Sequence, residues 1–455
     1  MRRILFPIAL LLAACSAEVA TETPSRLATN AAPNLPPIKS FGTPNPVAPA
    51  RSNRDIARDF LQLAFELESG RELPTLSRFE GPISVRLTGT PPPSLNQDLN
   101  RLIKRLRREA KIDISRAAGP DANITIEAVS RAQIRRHLPK AACFVVPNIE
   151  KLSEYRKARN TRATNWSLIK QRAKIAIFVP NDVSPQEVRD CLHEELAQAL
   201  GPLNDLYRLS DSVFNDDNVH TVLTGFDMLI LRTYYSPQLR AGMTRTEVAS
   251  RLPGILARLN PAGERFASRP ATQTPRAWVN AVQAALGPGT RFRQRLQAGS
   301  TALNIAKSQN WTDHRRAFSH FIMGRLTQAG EPEIARKHFL LAEKFYRLTP
   351  GTELHRAYSA SQLAAYAVNA GDGEKALAIL GPHLATAQRF ENAALLATLL
   401  LLRAEALELS GRFSEAQTIR LDSVGWARYG FGDDWAVRAK ASEISSLSRD
   451  NEPNG

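Results

Sequence analysis

Apolar residues follow two different patterns along the chain, and the change between them separates two regions. In residues 51–262, short runs rich in β-branched residues alternate with stretches that have helical spacing. The runs that predict strands are 83–87, 123–129, 143–146 and 174–179. Strands interleaved with helices predict an α+β fold in which a sheet and helices form packed α/β layers.

Three helices in this region are marked by their apolar spacing or by their first residues. A helix is expected over 55–68, and a second, strongly amphipathic one over 95–113. The apolar face of the second helix consists of Leu95, Leu99, Leu102, Ile103 and Leu106. The third helix begins at Pro185, because Ser184 can act as its N-cap and proline suits the first helical position.

Residues 291–449 are expected to be helical, with a pattern that recurs at an interval of 40 or 41 residues. A glycine precedes an alanine by five residues in three places: Gly330 and Ala335, Gly371 and Ala376, and Gly411 and Ala416. We expect each glycine to end one helix and each alanine to let the next helix pack closely. The pattern resembles tetratricopeptide repeats, whose usual period is about 34 residues. It predicts an all-α, TPR-like helical-repeat domain, with an irregular helical bundle as the alternative.

The first residues have the pattern of an exported lipoprotein. Arg2 and Arg3 precede an apolar stretch at 4–14, which is shorter than a membrane span requires. The stretch ends in Leu-Ala-Ala-Cys, which resembles the lipoprotein box of bacteria. The resemblance implies that 1–14 are a signal peptide, that Cys15 carries a lipid, and that the protein is periplasmic and anchored to a membrane. Because serine rather than aspartate follows Cys15, the outer membrane is favoured.

Two proline-containing segments separate the predicted parts of the chain. Residues 15–50 hold seven prolines after the lipidation site and predict a semi-extended tether. Residues 263–290 contain three further prolines and predict a connector. The predicted domains are therefore 51–262, with the α/β layers, and 291–449, with the helical repeats.

Charge is distributed unevenly along the chain. In its 455 residues, Lys and Arg exceed Asp and Glu by 16, which favours anionic surfaces. Residues 101–174 are strongly basic, with 19 Lys and Arg against 6 Asp and Glu. This part either contacts an anionic component of the envelope or is the solvated side of the amphipathic helix. Nucleic acid is not expected as a partner, since no DNA- or RNA-reading motif is present.

Two cysteines, Cys143 and Cys191, remain after Cys15. In an oxidising compartment two thiols can form one disulfide, and two separate buried thiols are the alternative. A zinc site built from a cluster of cysteines is excluded by their number.

The helix that begins at Pro185 carries the most distinctive motif. Residues 194–205 read EELAQALGPLND, and residues 212–217 read SVFNDD. The two motifs, E-E-x-x-Q-x-x-G-P-x-N-D and S-x-F-N-D-D, resemble those of domain-of-unknown-function family 2927, a bacterial family, over about 40–262. The resemblance implies no established activity.

The same helix resembles, more distantly, the zinc-binding helix H-E-x-x-H-x-x-G-x-x-H of metzincin proteases. In this comparison Glu194, Gln198 and Asn204 occupy the positions of the three metal ligands, and Glu195 occupies that of the general base. Asp205 follows and completes the candidate site. Oxygen ligands disfavour zinc and suit Ca²⁺ or Mg²⁺. We therefore expect either no cofactor or a hard divalent cation.

Three interpretations of the first domain remain open at this point. It is a purely structural domain, a metzincin-like pseudo-enzyme that binds a cation or ligand, or a metal-dependent hydrolase that acts on envelope peptides or wall material with Glu195 as base. The sequence favours a lipoprotein whose non-catalytic domain and repeat platform bind or assemble a protein or peptide partner in the envelope. A further alternative is that the repeats carry the whole function.

Overall fold

The computed structural model describes residues 35–42, 44, 46–270 and 272–449. The predicted signal peptide, Cys15 and the first part of the predicted tether lie outside the described residues. Residues 36–449 belong to one compact unit. Its first region is an α/β domain, and its second is a long succession of helices.

A five-stranded sheet forms the centre of the α/β domain. Its strands are β1 (Ile83–Gly89), β2 (Ile114–Arg116), β3 (Ile124–Val129), β4 (Phe144–Pro147) and β5 (Ile175–Pro180). They lie in the order β2-β1-β3-β5-β4, and all neighbours are parallel except β4, which is antiparallel to β5. Every residue of β5 is buried, as expected for a strand covered on both faces.

Seven helices pack around this sheet or follow it. They are α1 (Asn53–Phe65), α2 (Pro93–Glu109), α3 (Arg131–His137), α4 (Leu152–Ala158), α5 (Pro185–Leu200), α6 (Gly225–Tyr234) and α7 (Arg245–Leu259). The predicted apolar face of α2 is buried, with Leu95, Leu99, Leu102 and Leu106 fully inaccessible. These side chains belong to the same apolar core as the inner face of α5.

Ten further helices form what we call the helical array, residues 276–449. They are α8 (Arg276–Leu286), α9 (Phe292–Ser308), α10 (His314–Thr327), α11 (Pro332–Arg347), α12 (Glu353–Asn369), α13 (Gly373–Leu380), α14 (Leu384–Arg389), α15 (Ala393–Leu409), α16 (Phe413–Phe431) and α17 (Asp434–Arg449). Helix α8 lies inside the segment predicted as a connector and packs its Trp278 in an apolar cluster with α9 and α10. In the described part of the chain, no helix combines the length and the apolar character that crossing a membrane requires.

The three glycine–alanine pairs lie where one helix of a pair gives way to the next. All three alanines are fully buried, which permits the predicted close packing. Gly371 and Gly411 have φ angles of 73° and 74°, in the left-handed region that favours glycine. Gly330 does not adopt a positive φ, so the turn at this glycine differs in conformation from those at Gly371 and Gly411.

The described end of the predicted tether lies against α16. The backbone N–H of Lys39 donates to the carbonyl of Gly425 at 3.1 Å, and Phe41 packs on Trp426 with ring centroids 4.6 Å apart. A Cβ atom at Gly425 would come within 2.7 Å of the Lys39 side chain. Glycine at this position therefore allows the segment to lie close to the helix.

Candidate functional site

Helix α5 carries most of the predicted site residues and is held at both ends. Ser184 accepts a hydrogen bond from the backbone N–H of Glu187 at 3.2 Å, which confirms the predicted N-cap. At the other end, a Cβ atom at Gly201 would contact the ring of Tyr234 at 3.0 Å. Glycine is therefore needed there for close packing against α6.

A buried arginine binds the C-terminal end of α5. Arg172 donates from Nη1 to the carbonyl of Ala199 at 2.8 Å and from Nη2 to that of Gly201 at 2.6 Å, and Nη1 also reaches the carbonyl of Gln198. The last carbonyls of a helix have no partner within it, and they attract a cation. Arg172 thus satisfies the end of the helix at which Gln198 is located.

Several carboxyl groups lie close enough to influence one another around Glu194 and Glu195. Glu195 is 5% exposed, and its Oε2 atom has no hydrogen-bond partner in the described part of the chain. Asp205 has a similarly unpaired Oδ1 atom, and its side chain is hydrogen-bonded to Glu68. The structure therefore places Glu194, Glu195 and Asp205 in one acidic cluster, together with Glu68 and Asp216.

Burial and mutual repulsion disfavour the ionised forms of these carboxyl groups. Burial, followed by the charges of Glu68 and Asp216, raises the pKa of Glu194 to about 8. Burial and the charge of Glu194 raise the pKa of Glu195 well above its usual value, and burial and Glu68 do the same for Asp205. A raised pKa weakens a carboxyl group both as a general base and as a cation ligand, because a bound cation has to compete with the proton.

Asn204 and Gln198, the other two predicted ligands, have different surroundings. Asn204 is buried, and its Nδ2 atom donates to the carbonyl of Gln62 in α1 at 3.2 Å. Gln198 is also buried, and its backbone carbonyl oxygen accepts a hydrogen bond from Arg172. Within the ranges that the structure covers, no group of three or more His, Cys, Asp and Glu side chains is arranged to hold a metal ion.

Two other polar residues of α5 have structural partners. Cys191 forms a disulfide with Cys143, and the Cα atoms of the two residues are 5.9 Å apart. His193 accepts a hydrogen bond from the backbone N–H of Leu223 through Nδ1 at 3.1 Å. Burial, and then the positive charges of Arg105 and Arg189, lower the pKa of His193 well below its usual value. The imidazole is therefore neutral and positions the chain before α6.

The S-x-F-N-D-D motif folds the loop before α6. Ser212 accepts a hydrogen bond from the backbone N–H of Phe214 at 3.0 Å, while Asn215 donates to the carbonyl of Leu209 at 2.9 Å. Asp227 in α6 accepts a bond from the N–H of Val213 at 3.1 Å. The motif therefore stabilises one particular loop conformation.

The last residue of this motif connects the loop to the helical array. Asp217 accepts a hydrogen bond from Nε2 of His355 in α12 at 2.8 Å, and both side chains are buried. Burial disfavours the ionised form of Asp217, but the charge and hydrogen bond of His355 bring its pKa below the usual value. The sequence marks Asp217 only as the last residue of its motif and did not predict this pairing, since nothing local indicates contact between residues 138 positions apart.

Helix α5 is also in direct contact with the array through its first turns. Gln186 accepts a bond from the backbone N–H of Ala394 at 2.9 Å and donates to Asn392 at 3.2 Å. Buried Arg189 donates to the carbonyl of Glu391. The predicted site helix thus supports the interface between the two regions of the protein.

A cavity of about 470 Å³ lies between the α/β domain and the helical array. Its walls include Arg51, Leu209 and Phe226 from the domain and Arg315, Glu353 and Arg389 from the array. Cavities of this volume between two structural regions are typical of ligand-binding sites. The cavity was not predicted, because its lining residues are dispersed along the chain from Pro44 to Glu391.

Comparison with known proteins yields one family and no characterised relative. No curated protein and no solved structure matches the chain. Residues 53–254 match the model of a family described as Protein of unknown function (DUF2927). The match supports the resemblance inferred from the two motifs and assigns the α/β region to a domain family of unknown function.

Proposed function

We propose that this protein is a non-catalytic binding protein of the cell envelope. The α/β domain and the helical array both contribute to the site that binds its partner. The observation that carries the proposal is the cavity of about 470 Å³, whose walls come from both regions. A site shared in this way requires the two regions to keep a fixed relative position. The buried Asp217–His355 pair and the contacts of Gln186 and Arg189 meet that requirement.

The surroundings of the acidic cluster support a binding role over catalysis. Glu195 is the residue that would act as base, yet burial and neighbouring carboxyl groups favour its protonated form. Asn204, at the third metal-ligand position of the metzincin comparison, is bonded to the backbone of α1. The domain is thus proposed to be metzincin-like in its helix motif alone, with zinc disfavoured and a hard cation such as Ca²⁺ or Mg²⁺ as the remaining option.

Location in the envelope and the repeat platform are parts of the same proposal. Lipidation at Cys15 would anchor the protein to the outer membrane from its periplasmic side, and paired helices of TPR-like type would present the partner site. The prediction of a partner that is a protein or peptide comes from the exposed surfaces that such arrays offer. The basic part at 101–174 adds a possible contact with an anionic envelope component.

The proposal is tested by filling the cavity. Pro350 is exposed and lines the cavity, so Pro350→Trp should place an indole ring in the space that the partner needs. Pro382→Trp is the matched control, because this proline is also exposed, lies in a short 3-10 helix of the array and does not line the cavity. After cross-linking in intact cells, the partner should be recovered with the wild type and the control. Equal recovery with Pro350→Trp would show that the cavity is not the site.

A metal-dependent hydrolase is the second candidate function. Its support is the acidic cluster, because strongly perturbed carboxyl groups are frequent in active sites. Elemental analysis of the purified protein, combined with assays of the wild type and Glu195→Gln on envelope peptides, separates the two functions. A binding protein should show no turnover that depends on Glu195, with or without a bound Ca²⁺ or Mg²⁺ ion, whereas a hydrolase should show both stoichiometric metal and such turnover.

A further inference from the structure

We infer that the cavity binds a short peptide through a carboxylate group, with Arg269 and Arg389 as the residues that recognise this group. The inference rests on the proposed function and specifies the chemistry of its ligand. Both arginines line the cavity and are exposed. Both residues are therefore open to solvent where they border the cavity.

Most other arginines of the cavity already have anionic partners. Arg51 pairs with Asp59 and Asp211, and Arg208 donates to Asp59 at 2.6 Å. Arg315 pairs with Asp313 at 2.6 Å. These ion pairs form part of the cavity wall, and in each of them the charge of the arginine is neutralised by an aspartate.

Arg269 and Arg389 differ from these arginines in that neither forms an ion pair within the described part of the chain. The backbone of Arg269 is fixed, because its N–H donates to Asp55 and its carbonyl accepts from Arg58, each at 3.0 Å. The Arg389 guanidinium lies 5.0 Å from the centroid of the Phe390 ring. Both side chains thus retain their charge and all their donors for a ligand. Guanidinium groups bind carboxylates through two parallel hydrogen bonds.

The rest of the lining favours a peptide over a simple inorganic anion. Leu209, Leu223 and Phe226 provide an apolar wall that suits side chains. Glu353 lines the cavity and is not in an ion pair among the described residues, so it can receive a peptide amine. A small anion would use none of these groups.

One edge of the cavity is a stretch of backbone without regular secondary structure, residues 46–50. The N–H groups of Val47 and Ala48 have no hydrogen-bond partner in the part of the chain that the structure describes, and Val47 is 64% exposed. The stretch is held beside α6 by a close approach, since a Cβ atom at Gly225 would lie 2.0 Å from the Val47 carbonyl oxygen. Exposed N–H groups of this kind can donate to carbonyl oxygens of a bound peptide.

The experiment uses the purified full chain and calorimetric titration. The probes are a pooled set of tetrapeptides without Asp or Glu and with free amino termini, prepared once with C-terminal carboxylates and once as C-terminal amides, with inorganic phosphate as a separate probe. We expect binding of the carboxylate set and at least about tenfold weaker binding of the amides, because a charged hydrogen-bonded pair is lost. The double variant Arg269→Gln/Arg389→Gln should bind both sets equally weakly. Arg54→Gln is the control, since Arg54 is exposed, lies on α1 near Arg51 and Arg58, and does not line the cavity.

Three results would overturn the inference. They are absence of binding by either peptide set, equal binding of carboxylates and amides by the wild type, and unchanged discrimination in the double variant. If phosphate bound as tightly as the peptides, the site would recognise anions in general and not a peptide. Partner capture that is blocked by Pro350→Trp but unaffected by the arginine variants would refute this ligand chemistry and leave the proposed function standing.

Discussion

At the scale of single residues, the protein holds many polar groups in its interior, and most of them have a structural partner. Arg172 binds the carbonyls at the end of α5, His193 binds the N–H of Leu223, and Asn204 binds the carbonyl of Gln62. The carboxyl groups of Glu195 and Asp205 are different, because each keeps a buried oxygen atom that has no hydrogen-bond partner among the described residues. Such atoms cost stability, and the cost is larger when the carboxyl group is ionised than when it is neutral.

Replacing Glu194 by glutamine should remove part of the pH dependence of stability. The pKa of Glu194 rises on folding from its usual value near 4.5 to about 8, so its stabilising contribution is complete below about pH 4.5 and is lost as the pH rises towards 8. Relative to the wild type, Glu194→Gln should therefore gain on the order of 3 kcal/mol in unfolding free energy between pH 5 and pH 9. Urea unfolding at the two pH values measures this. Glu374→Gln, at an exposed position, should show no such gain. If the unfolding free energy of Glu194→Gln differed from that of the wild type by the same amount at both pH values, the prediction would be wrong.

Replacing Arg172 by lysine should destabilise the protein despite the conserved charge. A single ammonium group cannot reach all the carbonyls that the two guanidinium nitrogens bind at the end of α5. Because the abandoned carbonyls remain buried, we expect the unfolding free energy to fall by about 3 kcal/mol. Chemical unfolding measures the change, with Arg54→Lys as the exposed control. If Arg172→Lys lowered the unfolding free energy no more than Arg54→Lys does, the hydrogen bonds of Arg172 to the end of α5 would not be needed for stability.

At the scale of secondary-structure elements, local patterns predicted much and missed what depends on neighbours. Helix α5 begins at Pro185 as expected, because Ser184 supplies the cap within its own sequence. Strand β2 went unrecognised, since its three residues are too few for an apolar alternation and are defined by pairing with β1. Helix α8 lies in a segment interpreted as a connector from its prolines, and it is stabilised by burial of Trp278. The proline pattern marked the ends of that segment and did not reveal the helix.

The Cys143–Cys191 disulfide should contribute strongly to stability, because it joins α5 to the residue before β4. The two cysteines are 48 residues apart, and closing a loop of that length removes entropy from the unfolded chain worth about 4 kcal/mol at most. We expect Cys143→Ser/Cys191→Ser to lose about 2–4 kcal/mol of unfolding free energy under oxidising conditions. Under reducing conditions the unfolding free energy of the wild type should fall to that of the variant. If the two proteins were equally stable under oxidising conditions, the disulfide would contribute nothing to stability.

At the scale of the whole molecule, the site that matters for the proposed function was beyond sequence reasoning. The acidic motif residues Glu194 and Glu195 were identified because they are close in sequence. The cavity and the contacts that hold it open join the α/β domain to the helical array across hundreds of residues. The predicted division into two separate modules therefore understated their dependence on each other. Residues 36–449 fall within one compact unit, and the motif of the first region ends in a contact with the second.

This dependence predicts strong energetic coupling between Asp217 and His355. Both side chains are buried at the contact between the two regions, so removing one partner leaves the other without its hydrogen bond. In a double-mutant cycle with Asp217→Asn and His355→Gln, we expect a coupling energy of about 2 kcal/mol. The solvent-exposed pair Arg412–Glu415 is the matched control and should give about 0.5 kcal/mol or less.

The same cycle reports whether the two regions unfold together. Tryptophan fluorescence follows mainly the helical array, which holds four of the five tryptophans, while Trp166 lies in the α/β domain. For the wild type, urea unfolding followed by fluorescence and by far-ultraviolet circular dichroism should give coincident transitions. In the double variant the two transitions should separate, because the loop that ends in Asp217 no longer binds α12. A small coupling energy with coincident transitions in every variant would mean that other contacts, such as those of Gln186 and Arg189, are sufficient to hold the cavity walls in place.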